Sequence, residues 1–169
     1  MGSSGAFKSG LVALLPRLRR FAHGLSRNPA DADDLTQATV ERALRSSEQW
    51  REGTRLDSWA YRIMRNLWID TARARLRRAE REAPAEDAEQ IGIDPTSAIE
   101  ASVDLARMMS AMDRLPDEQR EVVALILIEG FGYREAAEML GIPMGTVASR
   151  LVRGRTALLD LVVGAQHAE

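Results

Sequence analysis

The chain has 169 residues, of which 45% are hydrophobic, 5% are aromatic and none is cysteine. The lack of cysteine excludes disulfides and thiolate metal sites, and it fits a reducing cytoplasm. The low aromatic content favours helices over sheet, and no apolar run approaches the roughly 20 residues that a membrane span needs.

Charge is distributed unevenly along the chain, although the net charge is only −2 at pH 7. Residues 1–83 hold 16 Lys and Arg against 10 Asp and Glu, a balance of +6. Residues 84–169 hold 7 against 15, a balance of −8. Such asymmetry is a weak indication of contact with nucleic acid.

Three stretches of the N-terminal half have the spacing of helices. Residues 7–25 repeat leucines at helical intervals and end before the turn signal Asn28-Pro29. Residues 30–47 begin with acidic side chains, which complement the helix dipole in a first turn. Residues 46–55 are polar and predict a loop around Gly53, and residues 56–78 predict one long helix. The residues expected on its buried side are Leu56, Ala60, Ile63, Leu67 and Ala74.

The composition changes after this long helix. Residues 80–96 gather acidic side chains around Pro84, Gly92 and Pro95, which predicts a flexible acidic linker. Beyond it, the sequence predicts helices at 97–114, 117–129, 133–140 and 145–163. The fold class is therefore all-α, with two small helical domains at 1–79 and 97–169 joined by the linker. We expect the two domains to sample several relative orientations.

Residues 130–151 have the layout of a helix-turn-helix. Ala137 is the small residue where two helices come close, Gly141 suits the positive φ of a tight turn, and Val147 seals the second helix against the first. Such a unit presents the amino-terminal part of its second helix to the DNA major groove. The alternative is a plain packing hairpin, since the turn of any such hairpin needs a glycine.

The second helix of this unit is predicted to have two faces. Four residues at helical spacing form the core side: Val147, Leu151, Gly154 and Leu158. Four polar or basic residues face away from it: Thr146, Ser149, Arg150 and Arg153. Arginine can contact guanine, whereas Thr and Ser suit phosphates or either base. A merely solvated surface is the alternative.

The long helix of the N-terminal half carries a basic stripe. Five of its residues fall within an arc of about 120° beside the buried face. They are Arg62, Arg65, Asn66, Arg73 and Arg77. Trp59 lies at the boundary between this stripe and the core, and Tyr61 and Trp68 lie on the far flank. Arginines interleaved with aromatic rings can grip phosphates and stack on unpaired bases. A solvated basic face with aromatics in the core explains the pattern equally well.

Catalysis has little support in the sequence. His23 and His167 have no plausible nucleophile or ligand partner nearby in the chain. Asp31, Asp33 and Asp34 resemble a metal cluster only superficially, since acids at a helix start are commonly partners of the dipole. There is also no glycine-rich phosphate loop. We therefore expect no catalytic residues, no metal and no cofactor.

Together these motifs resemble the extracytoplasmic-function (group IV) sigma factors, which are small specificity subunits of bacterial RNA polymerase. Residues 30–40, ADADDLTQATV, are similar to the polymerase-binding helix of that family. Residues 59–70, WAYRIMRNLWID, are similar to its minus-ten recognition and melting helix. Residues 115–155, which begin with LPDEQR, are similar to its minus-thirty-five domain. The matches cover nearly the whole chain except its ends and the linker.

The resemblance implies three sets of binding residues and no catalytic activity. The surface that docks the β′ clamp helices of core RNA polymerase is expected at Asp34, Leu35, Gln37 and Val40. Minus-ten DNA is expected at Trp59, Arg62, Arg65, Asn66 and Arg73, with an extruded base held by the loop 46–55. Minus-thirty-five DNA is expected at Thr146, Ser149, Arg150, Arg153 and Arg155. The implied partners are core polymerase, promoter DNA and an anti-sigma factor that clamps the two domains, with no membrane insertion.

The sequence departs from the family pattern at three positions. Ala38 stands where an acid is usual, which predicts weaker docking on polymerase. Ala148 stands where lysine is common, which removes one expected phosphate contact. Gly154 replaces a usual alanine inside the recognition helix, at a cost near 1 kcal/mol in helix propensity.

Two other functions fit parts of the sequence. One is a sigma-like decoy that sequesters an anti-sigma factor without binding DNA, but such a decoy should have lost the basic residues Arg150, Arg153 and Arg155. The other is a simple helix-turn-helix regulator that dimerises on palindromes. The N-terminal half argues against it, because such a regulator needs no helix of the WAYRIMRN kind.

Overall fold

The computed structural model describes residues 3–81 and 101–166, and it describes the side chains of residues 5–81 and 106–162. All regular secondary structure in these ranges is helical, as the sequence predicts. The predicted linker lies outside the described residues except for 80 and 81, which end a helix. The predicted helix start at 97–100 and His167 also lie outside them.

The N-terminal domain consists of three long helices. They are α1 (Ser3–Leu25), α2 (Pro29–Arg45) and α3 (Leu56–Arg81), with a 3₁₀ turn at Ser47–Gln49. Asn28 caps α2 because its side chain accepts a hydrogen bond from the Ala30 N–H at 2.8 Å. Gly53 takes φ 85° in the loop before α3, where the sequence predicts a turn.

The core of this domain lies between α1 and the other two helices. Its fully or nearly fully buried side chains include Phe7, Leu11, Leu18, Phe21, Leu25, Ala32, Leu35, Ala43, Ala60, Tyr61 and Met64. Ala74, which the sequence places on the buried side of α3, is exposed. The reason is that α3 extends beyond the helices that cover its first half, so its later turns are exposed or only partly buried.

The C-terminal domain consists of four helices and one π-helical segment. The helices are α4 (Ala101–Asp113), α5 (Asp117–Val123), α6 (Tyr133–Leu140) and α7 (Met144–Gln166), and the π-helical segment is Ala124–Ile128. The sequence predicts a single helix at 117–129, but the Glu129 N–H bonds to the Ala124 carbonyl, five residues back, at 3.0 Å. This wider turn ends the regular α-helix at Val123 and changes the direction of the side chains that follow.

The two domains pack directly against each other. Helix α1 contacts α5 and the π-helical segment, and α3 contacts α6. The ring of Phe131 lies 5.1 Å from that of Tyr61, which lies 4.8 Å from Phe21 of α1. A Cβ on Gly24 would lie 3.2 Å from the Ala124 Cβ. In this structure buried aromatic rings and ion pairs join the domains, and the expectation that they sample several orientations stays a prediction.

Candidate polymerase and nucleic-acid interfaces

The polymerase-binding residues that the sequence predicts divide between the surface and the core. Asp34 and Gln37 are exposed on the outer face of α2, and Val40 is half-buried. Leu35 does not lie on this surface, because only 8% of it is exposed. It shares with Thr39 the side of α2 that packs into the core, so its predicted surface position was wrong, whereas its role in docking stays a prediction.

The basic stripe of α3 is present, and one of its members is covered. Arg62, Asn66 and Arg73 are exposed. Only 19% of the Arg65 side chain is exposed, and its Nε donates to Glu121 of α5 at 3.0 Å. Burial raises the pKa of Glu121, and the hydrogen bond from Arg65 opposes this rise. Arg65 is therefore paired with the C-terminal domain and is not open to DNA in this structure.

Of two aromatic residues of α3, Trp59 lies where the sequence predicts and Tyr61 lies closer to the core. Trp59 is half-buried, and its ring lies 5.9 Å from that of Phe7 in an edge-on arrangement. This agrees with its predicted position at the border of the basic stripe. Tyr61, expected on the far flank, is buried between the two domains.

Helix α6 covers the first turns of α3. Arg55, just before α3, forms an ion pair with Glu135. Arg62 donates from Nη2 to the Glu138 carbonyl at 3.5 Å. A groove of about 300 Å³ lies between the two helices. The first helix of the helix-turn-helix therefore lies over the part of α3 that the sequence assigns to minus-ten recognition.

Glu129 follows the π-helical segment, and its carboxylate is fully buried against the N-terminal domain. Arg20 donates from Nε to Oε1 at 2.8 Å, and Arg17 donates from Nε to Oε2 at 3.2 Å. The Tyr61 hydroxyl donates to Oε2 at 2.5 Å. Burial, together with this carboxylate, raises the pKa of Tyr61, so the phenol stays protonated and can donate. These four residues are called the Glu129 cluster below.

An aromatic ring extends this cluster toward α3. Phe131 is buried, and the guanidinium carbons of Arg17 and Arg55 lie 5.7 Å and 5.2 Å from the centre of its ring. These distances are within the range of cation–π attraction. Two residues between the π-helical segment and α6 thus bind arginines of the N-terminal domain. The Phe131 ring contacts Arg17 and Arg55, and the Glu129 carboxylate binds Arg17 and Arg20.

The helix-turn-helix has the geometry that the sequence predicts. Glu135 accepts a hydrogen bond from the Gly132 N–H at 3.0 Å and so stabilises the start of α6. Gly141 ends α6 with φ 65°, and the N–H groups of Gly141 and Ile142 both point to the Ala137 carbonyl. Because residues with a side chain rarely adopt this left-handed backbone conformation, the turn favours glycine.

The two predicted faces of α7 are also present. Val147, Leu151, Gly154 and Leu158 are all buried. On the opposite side, Ser149 and Arg153 are exposed and Thr146 is half-buried, and Arg155 is exposed beside the buried stripe. This outer face is open to solvent in the structure.

Arg150 is the exception on that outer face. Only 15% of its side chain is exposed, and it pairs with Glu118 at 2.8 Å and with Glu121 at 3.9 Å. Its predicted outward position was wrong, because α5 lies alongside this turn of α7 and covers it, whereas its contact with DNA stays a prediction. Arg150 therefore stabilises the C-terminal domain internally.

Gly154 has a packing role that the sequence did not indicate. A Cβ at this position would lie 2.7 Å from Val123 Cγ2, which is closer than real atoms approach. The absence of a side chain therefore lets α5 and α7 come together. The departure from the usual alanine is therefore a requirement of this core, in which close packing offsets the cost in helix propensity.

Arg120 of α5 is a further buried cation that sequence reasoning did not assign. Its Nη2 donates to Asp117 at 2.6 Å, and its guanidinium carbon lies 6.0 Å from the Trp68 ring of α3. Burial lowers its pKa. It lines a groove of about 500 Å³ between α2, α3 and α5, which also includes Asp34 and Leu35. Arg120 thus contributes to the packing of the two domains.

Sequence reasoning also missed Arg17, Arg20 and Glu129. The available signal was a glutamate directly after the apolar run 122–128, together with two arginines on a leucine-rich helix. Such charges are usually solvated, so nothing in the local pattern links them. Their pairing depends on the contact between domains.

Within residues 3–81 and 101–166, no cluster of three or more His, Asp or Glu could hold a metal ion. Of the described helices, none is both long and apolar enough to cross a membrane.

Two protein families match this chain in sequence. The family Sigma-70 region 2 matches residues 11–82, and the family Sigma-70, region 4 matches residues 105–158. The first match contains most of α1 together with α2 and α3, and the second contains α5, α6 and most of α7.

Curated relatives that match most of this chain are described as ECF RNA polymerase sigma factors. The ECF RNA polymerase sigma factor EcfG of Rhodopseudomonas palustris is 35% identical over 96% of this chain and 88% of its own length. The ECF RNA polymerase sigma factor SigE of Mycolicibacterium smegmatis is 40% identical over 85% of this chain and 56% of its own length.

Two solved structures are similar in fold. The sigma factor RpoE of Bartonella quintana, crystallised with the anti-sigma factor NepR, has a TM-score of 0.77 and 32% identity over 93% of this chain and 96% of its own. CnrH, in complex with the cytosolic domain of CnrY, has a TM-score of 0.69 and 25% identity over 96% of this chain and 91% of its own.

Proposed function

Since this chain belongs to the extracytoplasmic-function sigma factors of bacterial RNA polymerase, we propose that it binds core polymerase through α2 and reads promoters through α3 and α7. One observation carries this proposal. The predicted polymerase face and basic stripe lie in the segment matched by region 2, and the helix-turn-helix lies in the segment matched by region 4. The proposed domain division is 1–79, 80–96 and 97–169, and the proposed site of action is the cytoplasm.

Polymerase docking is assigned to the exposed part of α2. Asp34 and Gln37 present polar groups outward, and Val40 adds a half-buried apolar contact beside them. Leu35 supports this face from the core rather than touching the partner. A mixed polar and apolar surface of this kind suits a helical partner such as the β′ clamp helices.

Minus-ten recognition is assigned to the basic stripe of α3 and the loop before it. Arg62, Asn66 and Arg73 are exposed, and Trp59 borders them. Arg65 joins this set only when Glu121 moves away. Strand opening in this scheme needs no catalytic residue, because capture of an extruded base offsets an unstacking cost of a few kcal/mol.

Minus-thirty-five recognition is assigned to the outer face of α7. Thr146 and Ser149 lie in its first turns, where a recognition helix meets base edges, and Arg153 and Arg155 follow. Ser149, Arg153 and Arg155 are exposed, and Thr146 is half-buried. Arg150 is excluded from this set because it pairs with α5.

Control by an anti-sigma factor is also part of the proposal. The two similar solved structures are both complexes, one with NepR and one with the cytosolic domain of CnrY. We expect a comparable protein to bind this chain, with its two domains as the contact surface.

Run-off transcription tests the proposal. Core polymerase with this chain should transcribe from a subset of a promoter-fragment library, whereas core polymerase alone should not. A chain that binds core polymerase but yields no transcript, and whose α7 binds no DNA, would instead support the decoy function.

A further inference from the structure

Acidic groups of the C-terminal domain pair with arginines of the N-terminal domain at four places. Glu121 pairs with Arg65, Glu135 with Arg55, Asp117 with Arg27, and Glu129 with both Arg17 and Arg20. A carboxylate and a phosphate bind arginine in the same way, through charge-assisted hydrogen bonds. At Arg65 of α3 and at Arg55 of the loop before it, the C-terminal domain therefore holds negative charge against the surface where a DNA strand is expected to run.

The docked domains are too close together to bind both promoter elements at once. Elements centred near minus ten and minus thirty-five are about 25 base pairs apart, which is about 85 Å at about 3.4 Å per base pair. A compact chain of 169 residues has a radius of gyration of only about 15 Å. Helices α3 and α7 must therefore separate before the chain can engage a whole promoter.

We propose that the Glu129 cluster holds this chain in an autoinhibited form, in which the C-terminal domain covers α3, and that promoter engagement requires Glu129 to leave the cluster. This inference rests on the proposed function, since it assigns minus-ten recognition to α3. It adds a control that needs no second protein.

Glu129 differs from the other interdomain acids in the number of its partners across the contact. Its fully buried side chain accepts from three residues of the N-terminal domain. The Glu121 side chain is 5% exposed but has one such partner, Arg65, and the Glu135 side chain is 36% exposed. Exposed ion pairs contribute little, but removing one member of a buried pair leaves the other charge uncompensated. The stability of the closed form should therefore depend mainly on the Glu129 cluster.

The closed form leaves two predicted surfaces open. Asp34 and Gln37 on α2 are exposed, and so are Ser149 and Arg153 on α7. Polymerase can therefore dock on α2 while α3 is still covered. The order of events that follows is docking first, then opening, then engagement of the minus-ten strand.

Interdomain distance tests the role of Glu129 directly. The chain has no cysteine, so Val12→Cys on α1 and Leu159→Cys on α7 provide two exposed labelling positions. We expect one short distance by spin-label or fluorescence measurement in the otherwise unchanged chain. Glu129→Gln, which is nearly the same size, should reduce the closed population by at least about tenfold, because Arg20 loses its counter-ion and Arg17 keeps only Asp57.

Matched variants separate the cluster from general charge effects. Arg20→Gln removes the opposite partner and should open the chain as Glu129→Gln does. Arg19→Gln, whose arginine pairs with Asp33 inside the N-terminal domain, should leave the distance unchanged. Glu138→Gln, whose glutamate pairs with Arg134 on its own helix, should do the same. A closed distance that persists in both Glu129→Gln and Arg20→Gln overturns the assignment of this cluster.

A reversible crosslink tests the functional half of the proposal. The built Gly24 Cβ lies 3.2 Å from the Ala124 Cβ, close to the mean of about 3.8 Å across a disulfide. The double variant Gly24→Cys and Ala124→Cys should therefore lock α1 to the π-helical segment when oxidised. With core polymerase, the oxidised form should give at least about tenfold fewer run-off transcripts than the same sample after reduction.

The two assays fail in different ways. Equal transcription by the oxidised and reduced forms would show that the closed chain is active, and the autoinhibition would be rejected. Absence of transcription in every variant, reduced forms and Glu129→Gln included, would reject the proposed function. The distance measurement would still report whether the Glu129 cluster closes the chain.

Discussion

The hydroxyl of Tyr61 donates to the carboxylate of Glu129 at 2.5 Å, although 68 positions separate the two residues in the chain. Tyr61 lies on α3, the helix assigned to minus-ten recognition, and Glu129 lies between α5 and α6. One hydrogen bond therefore joins α3 to the segment that precedes α6, the first helix of the helix-turn-helix. Both groups are buried, so neither can exchange this bond for water without moving the domains.

Tyr61→Phe should weaken the docking of the two domains. Phenylalanine keeps the ring between Phe21 and Phe131 but removes the donor to Glu129. Hydrogen bonds to charged groups contribute about 1.5–3 kcal/mol, so the free energy of unfolding should fall by about that amount. Urea denaturation of the full chain measures it, and Tyr133→Phe at an exposed position is the control. Equal midpoints for the two variants would contradict the prediction.

Gly154→Ala should destabilise the chain although alanine is the better helix former. The new Cβ would meet Val123 at 2.7 Å, and overpacking commonly costs about 1–3 kcal/mol, more than the gain of about 1 kcal/mol in propensity. Gly145→Ala is the control, because nothing lies within 4 Å of its built Cβ. Thermal unfolding should show a lower midpoint for the first variant only, and Val123→Ala should partly rescue it.

Arg150→Ala should affect the stability of the chain, whereas Arg153→Ala should affect promoter binding. Arg150 is largely buried against Glu118 and Glu121, so its loss should lower the free energy of unfolding by about 1–3 kcal/mol. Arg153 is exposed on the open face of α7, so its loss should leave stability unchanged and weaken promoter binding by about tenfold. Circular dichroism melts and titration of holoenzyme with promoter DNA distinguish the two. Loss of DNA affinity in Arg150→Ala with an unchanged melt would restore the sequence-based prediction for that residue.

Leu35→Ala should lower the stability of the chain, whereas Gln37→Ala should weaken its binding to core polymerase. Truncation of a buried leucine typically costs about 2–5 kcal/mol, so the first variant should unfold at lower temperature. The second should keep the wild-type melting temperature but bind core polymerase more weakly, because Gln37 is exposed. Pull-down by core polymerase, measured alongside the melt, checks both. Full polymerase binding by Gln37→Ala would move the docking face away from this part of α2.

Much of the local structure could be predicted from the sequence, because helices and turns depend on residues close together in the chain. The helix at 133–140 has the same bounds in the structure, and the turn glycine Gly141 has the expected positive φ. The buried stripe from Val147 to Leu158 follows from the 3.6-residue period alone. The π-helical segment was not predicted, since an apolar run has no feature that distinguishes a wider turn from a regular one.

The sequence by itself determined the helices, the helix-turn-helix and the basic stripe of α3, since each is set by spacing within one segment. Only the tertiary structure decided which charged residues are open and which are paired. Arg62 and Arg65 share one stripe in the sequence, yet Arg62 is exposed while Arg65 binds Glu121 of the other domain. Glu129 has the sequence context of a solvated charge, and it is buried because three donors of the N-terminal domain converge on it. Such pairing depends on surfaces far apart in the chain, and no local periodicity encodes which of them meet.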